Sequence, residues 1–207
     1  MAKALAYAYI DSGAMYRAVT LYAINNGLTS GDEIDEQGLI DELGNITVDF
    51  TNKGGLNTTR LNGNIVEDEI RKMEVSSMVS QVSRIKAVRE KLRLMQQDAA
   101  RFGGVVMDGR DIGSAVLPFA ELKIFMTADK DIRAMRRFEE LAGKGETITL
   151  DQIRTNLEKR DLLDTTRKEN PLVQVEDARL LDNTKMTEKE QLNQALAWAK
   201  ELIFETS

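Results

Sequence analysis

Brief apolar runs set between long helical stretches constrain this fold more than any other feature. The runs at 7–10, 105–107, 122–126 and 178–181 are rich in β-branched and large apolar residues, and each is too short to be a helix. Between them, apolar residues recur at helical spacing, as in Met15, Ala18, Val19, Tyr22 and Ala23, where the spacing predicts a helix over 14–26 that stops at Asn26-Gly27. Further helices are predicted over 35–43, 85–102, 131–141, 150–163 and 188–204, with a helical region opening at 66–71 and a flexible break at Gly143-Lys144-Gly145. Short strands alternating with helices make βαβ units, and so an α/β fold with a parallel sheet covered on both faces. In such sheets ligands sit beyond the carboxyl ends of the strands. Polar residues stand there: Asp11 and Ser12 in a turn with Gly13, Asp108 to Asp111, and Asp182.

The segment 46–66 has another character. Ile46, Val48 and Phe50 alternate like a half-buried strand, Gly54-Gly55 reads as a turn, and 56–61 and 64–66 read as further short strands. A small antiparallel sheet is therefore inserted into the α/β frame. Met15, Met78, Met95, Met107 and Met126 read as core filling, and Trp198 as packing.

Composition narrows the chemistry. The 207 residues contain no Cys and no His, which removes disulfides, thiolate nucleophiles, the Ser/His/Asp triad and nearly every zinc-enzyme pattern. A net charge of −6 argues against general affinity for nucleic acid or acidic membranes. No apolar run approaches the roughly 20 residues that span a bilayer. Residues 1–10 lack a secretory cleavage pattern, so a cytoplasmic protein is expected.

What remains for catalysis is carboxylates, guanidiniums and hydroxyls, and these fall in clusters. Asp11-Ser12-Gly13-Ala14-Met15-Tyr16-Arg17 joins a strand to a helix, whose free N–H groups and dipole suit an anion that Arg17 can grip bidentately. The alternative is an ordinary joint with a capping Asp or Ser. Asp108-Gly109-Arg110-Asp111-Ile112-Gly113 crowds two carboxylates and an arginine around glycines that permit close approach, or else makes a structural turn with a local ion pair. Arg160, Asp164 and Arg167 fall at i, i+4 and i+7, on one face if helical, as a ligand-binding set or as a solvated charged face. Arg136-Arg137 near the glycine break reads as a mobile basic flap or a basic surface helix. Together, arginines beside carboxylates suit phosphoryl transfer, which needs charge stabilisation and alignment more than a nucleophilic side chain.

These three motifs, with Pro171-Leu172 closing the last, occur in the order and approximate spacing of bacterial cytidylate kinase, and the chain resembles that family from Tyr7 to its C-terminal helix. The resemblance implies a P-loop nucleoside-monophosphate-kinase fold: a core at 1–30 and 100–207, a short lid near 133–148, and an insert at 31–99 that binds the monophosphate. It implies phosphoryl transfer from ATP to CMP or dCMP with Mg2+, by a monomer. Arg17, Arg110 and Arg167 would hold the CMP phosphate as the catalytic arginines. Arg160 and Asp164 would hold the ribose hydroxyls. Ser12, Ser80, Arg89 and Asp111 would read the cytosine edge, base reading rather than base catalysis being the role of Asp111. Lid arginines Arg133, Arg136 and Arg137 would approach the ATP phosphates.

The sequence departs from the family in one respect. The G-x-x-x-x-G-K-[ST] loop that cradles the ATP phosphates occurs nowhere in the 207 residues, and Gly143-Lys144-Gly145 lacks both its first glycine and its hydroxyl. Residues 1–6 resemble the helix that follows this loop. A parallel sheet without its central strand would leave a large apolar gap, so the loop is expected in the protein, outside these residues. The alternatives are a chain that binds CMP without using ATP, or a kinase of the same fold for UMP, AMP or shikimate. Against the last, Ser12 and Asp111 favour cytosine.

Overall fold

The computed structural model describes residues 1–31, 33–53 and 56–205. The turn expected at Gly54-Gly55 lies outside the described residues. The helices are α1 (Ala2–Leu5), α2 (Ser12–Asn25), α3 (Glu36–Glu42), α4 (Met73–Val82), α5 (Lys86–Ala100), α6 (Lys130–Gly143), α7 (Leu150–Thr166) and α8 (Glu188–Glu205). The strands are β1 (Ala8–Asp11), β2 (Thr29–Ser30), β3 (Glu33–Ile34), β4 (Val48–Lys53), β5 (Leu56–Leu61), β6 (Asn64–Ile65), β7 (Val105–Asp108), β8 (Ile124–Thr127) and β9 (Arg179–Asp182). This is the expected α/β architecture, with β1 parallel to β7 and β8 parallel to β9. The chain divides into two compact units, one of residues 2–112 with 167–169, the other of residues 113–166 with 170–207 and Met1.

In the first of these units β1 and β7 run in register, Ile10 opposite Met107 and Asp11 opposite Asp108, so two carboxylates end adjacent strands. No turn separates β1 from α2. Asp11 is the last strand residue, and its carboxylate accepts from the Ala14 N–H at 2.8 Å, which caps the helix so that it begins at Ser12. The expected Asp11-Ser12-Gly13 turn is thus replaced by a side-chain cap. Gly27, at φ 68°, supplies the left-handed residue just past the helix end. Helix α2 is buried along most of its length: Ala14, Ala18, Val19 and Ala23 have no exposed surface. Around it pack Leu39, Ile46, Ile70, Val75 and Val82, with Val88 and Leu92 from the apolar stripe of α5.

The inserted sheet is antiparallel, in the order β4-β5-β6. Its second hairpin turns on Asn62-Gly63, both at positive φ (49° and 83°), the combination that a two-residue hairpin loop of primed type demands. The Asn62 side chain accepts from the Thr47 N–H and donates to the Asn45 carbonyl, fixing the turn against the start of β4. The β2–β3 hairpin is not legible in the sequence. Each hairpin strand is two residues long, below the length at which alternation shows.

In the other unit, α6, α7 and α8 accompany β8 and β9, and Val116, Ala134, Leu141, Ile153, Leu181, Ala195 and Ala199 are its buried apolar residues. The strand expected as buried at 122–126 and the last strand expected at 178–181 shift to Ile124–Thr127 and Arg179–Asp182. Met126 (56% exposed) and Leu180 (53%) face solvent, so Met126 is not core filling. Met126 stands opposite the buried Leu181 and Leu180 opposite the half-buried Phe125, so the two exposed residues lie on opposite faces, and neither face of this two-stranded pair is covered along its whole length. Met15 and Met78 are buried as expected, and the half-buried Trp198 ring lies 5.6 Å from the Arg179 guanidinium. Among the described residues no helix is long and apolar enough to cross a membrane.

Candidate functional site

The carboxyl ends of β1 and β7 gather several polar side chains. The Ser12 hydroxyl donates to the Asp108 carbonyl at 2.6 Å, tying the first residue of α2 to the end of β7. Gly109 makes this possible, since a Cβ there would fall on the Ser12 Oγ. The Tyr9 hydroxyl donates to the Asp108 carboxylate at 2.8 Å. Burial pushes the Asp108 carboxyl above its ordinary range, and the charge of the neighbouring Asp11 adds to the effect. The Tyr9 hydroxyl is itself pushed far up, first by burial and then by Asp108.

One turn into α2, Arg17 is 8% exposed and donates to the Ile70 carbonyl (3.2 Å) and the Ser76 hydroxyl (2.7 Å). Asp111, two residues beyond the glycine that follows β7, is 7% exposed. One of its oxygens accepts from Arg89 of α5 at 2.5 Å, and the other lies 3.5 Å from the Arg167 guanidinium. Arg89 also donates to the Ser83 carbonyl and lies 5.7 Å from the centre of the Tyr16 ring. Its buried Nε has no hydrogen-bond partner among the described residues. Burial pushes the Tyr16 hydroxyl up to about 12; Arg89 and Arg167 oppose the shift and Asp111 adds to it. Ser80, on α4, is buried as well, and Arg110 is half-buried between Gly109 and Asp111.

The fully buried charged residues described in this unit are Arg17, Arg89, Arg167 and Asp111, three cations to one anion. Charges are buried only where they are answered, and here Asp111 and backbone carbonyls answer Arg89, Arg167 and Arg17. Guanidiniums, with their fixed forks of donors, suit phosphate best.

The remaining expected residues lie in the other unit. Arg160 and Asp164 form an i, i+4 pair on α7 at 3.8 Å, and Asp164 is buried. Arg167 directly follows the last residue of their helix. Helix α7 ends at Thr166, where Thr165 and Thr166 turn their hydroxyls back onto the Asp161 and Leu162 carbonyls. Asn170 then takes a left-handed φ of 48° before Pro171. Arg133 pairs with Asp161 at 2.7 Å, Arg137 pairs with Glu140, and Arg136 donates to the carbonyls of Asn183 and Met186 and to the Asn183 side chain. Asp182 accepts from the backbone and hydroxyl of Thr184, so it closes the turn after β9. Among the described residues no group of three or more His, Cys, Asp or Glu can hold a metal ion. The 207 residues hold no G-x-x-x-x-G-K-[ST] loop.

Sequence reasoning assigned no role to Tyr16, Tyr9, Glu67 or Arg71. Tyr16 was within reach, because it lies in the same run as Ser12 and Arg17. Arg71 was not, since it sits 60 residues from its partner Asp11.

Comparison with known proteins places this geometry. The family model described as cytidylate kinase matches residues 1–201. Proteins named cytidylate kinase are similar over nearly the whole chain. That of Bacteroides fragilis is 50% identical over 193 residues, covering 92% of this chain and 84% of its own. That of Porphyromonas gingivalis is 45% identical over 210 residues, covering 100% and 89%. That of Flavobacterium johnsoniae is 42% identical over 205 residues, covering 98% and 89%. With parallel strands and flanking helices on the nucleoside monophosphate kinase plan and a buried arginine cluster beyond the strand ends, the chain belongs to the cytidylate kinase family.

Proposed function

We propose that this enzyme transfers a phosphoryl group from ATP to CMP or dCMP, and that the buried cluster at the ends of β1 and β7 binds the acceptor. The observation that carries the reading is Asp111, buried between Arg89 and Arg167 near Tyr16. Arg17, Arg110 and Arg167 hold the phosphate of CMP. Its oxygens are already largely ionised at neutral pH, so the acceptor needs no general base, only alignment and charge stabilisation. Asp111 accepts from the 4-amino group of cytosine, while Arg89 donates to the ring acceptors and so finds a partner for its buried Nε. Ser12 and Ser80 complete the base contacts. Uracil carries a carbonyl where cytosine carries the amino group, so it sets an acceptor against a carboxylate. For Arg160 and Asp164 the family resemblance proposes the ribose hydroxyls. Work on a monomeric, cytoplasmic protein with small nucleotides as its partners fits the acidic composition. ATP is the donor, with Mg2+ as its counter-ion by the pattern of the family, and the acceptor half is what these residues supply.

Calorimetric titration with CMP, UMP and AMP tests the acceptor site, followed by an assay for CDP with ATP present. CMP is expected to bind at least about tenfold more tightly than UMP or AMP, a difference of about 1.4 kcal/mol. Equal binding of UMP overturns the base assignment. Tight CMP binding without CDP formation keeps the acceptor site and shows that the donor half does not reside in the 207 residues.

A further inference from the structure

The N-terminal part of α2 with its cap Asp11 and the short 3-10 helix Glu69–Arg71 are joined by two arginines that reach in opposite directions. Arg71 donates to the Asp11 carboxylate at 2.7 Å, and the same nitrogen donates to Glu67 at 2.8 Å. Glu67 in turn accepts from the backbone N–H (3.0 Å) and hydroxyl (2.8 Å) of Thr59 on β5. In the other direction Arg17 donates to the carbonyl of Ile70, the residue just before Arg71, and to Ser76 at the start of α4. Asp11 divides its two oxygens, one capping α2 at Ala14 and the other holding Arg71. A chain of bonds thus runs from the inserted sheet through Glu67, Arg71 and Asp11 to the helix that carries Arg17.

We infer that Arg71 is a positioning residue for Arg17: by clamping the turn Glu69–Arg71 to Asp11, it fixes the Ile70 carbonyl and Ser76 that hold the Arg17 guanidinium toward the phosphate of CMP. The inference rests on the acceptor-site reading above. Its effect falls chiefly on the phosphate, because the base-reading groups Ser12, Arg89 and Asp111 are held from elsewhere, and only Ser80 shares α4 with Ser76. Ser12 is tied to β7 through the Asp108 carbonyl, and Asp111 is held by Arg89 and Arg167.

Calorimetry with CMP and with cytidine, on the full chain carrying R71M, R71K, D11N or R71M/D11N, tests this. Asparagine caps helices as well as aspartate does, so D11N keeps the helix start and removes only the charge that Arg71 grips. R71M and D11N are each expected to weaken CMP about tenfold and cytidine less than about twofold, with R71K recovering part of the loss. The double variant is expected to be no weaker than about the worse single one, as for two ends of one interaction. Equal loss for CMP and cytidine would mean general loosening of the fold, and overturns the inference. Unchanged CMP binding in R71M, or losses that multiply in the double variant, also overturn it. If the unmodified chain binds cytidine but gains nothing from the phosphate, the acceptor-site reading fails first, and this inference with it.

Discussion

Asp111 shows how much one side chain decides here. It is 7% exposed and answers two buried guanidiniums, so replacing its charge by a neutral isostere strands both cations. Asp111→Asn is expected to lower unfolding free energy by about 3–5 kcal/mol, the usual cost of breaking a buried pair, as measured by urea titration. The new amide donates where the carboxylate accepted, so the preference for CMP over UMP should shrink or reverse in the same calorimetric titrations. Tyr16 gives a second handle. Its hydroxyl rises from an ordinary value of 10.0 to about 12, chiefly through burial. Between about pH 10 and 12 the unfolded chain has lost this proton and the folded chain has kept it, so stability is intact below that window and falls as pH rises through it. The loss is about 2–3 kcal/mol over the window. Tyr16→Phe should flatten this part of the alkaline unfolding curve, and an unchanged slope would show that Tyr16 ionises freely. Both residues stand in motifs readable from the sequence, but their burial and their closeness to each other are not readable there.

Among elements, the β1–α2 joint shows the limit of local reading. Strand, helix and anion-suited junction are all legible in 7–26, because apolar periodicity and a glycine are local signals. The start of the helix is not, because Asp11 caps it directly and no turn is needed. The loop after β7 depends on an absence. A methyl at Gly109 would fall on the Ser12 hydroxyl and crowd Ile112 at 2.9 Å. Gly109→Ala is therefore expected to break the Ser12–Asp108 bond and to cost about 1–3 kcal/mol, as overpacking does. Thermal unfolding with and without CMP measures both consequences, and a variant as stable and as strongly protected by CMP as the parent would refute the role given to this glycine. The sequence marked Gly109 as permitting a close approach, but not which atom makes it. The charged pattern at 160–167 is legible only in part: Arg160 and Asp164 pair on α7, while Arg167 stands just past its last residue, Thr166.

At the scale of the whole molecule, local sequence sets most helix bounds in both compact units, but not the buried charge cluster of one of them. In residues 113–166 and 170–207 the helices fall within a few residues of their expected bounds, and the expected lid arginines are engaged with Asp161, Glu140 and the segment after β9. Residues 2–112 and 167–169 hold the three-to-one buried arginine cluster, assembled from α2, α5, the loop after β7 and the residue that follows α7. By itself, the sequence determined the α/β class, the inserted antiparallel sheet, the chemistry excluded by the lack of His and Cys, and the motifs that mark a cytidylate kinase. All of these follow from composition, periodicity and short motifs, which are properties of neighbouring residues. Only the tertiary structure decided that Arg89 and Arg167 share Asp111, that Arg71 reaches Asp11, and that Met126 faces outward. Those outcomes join residues tens of positions apart, and they depend on which strands pair and which faces are covered, competitions that are settled only when the chain packs.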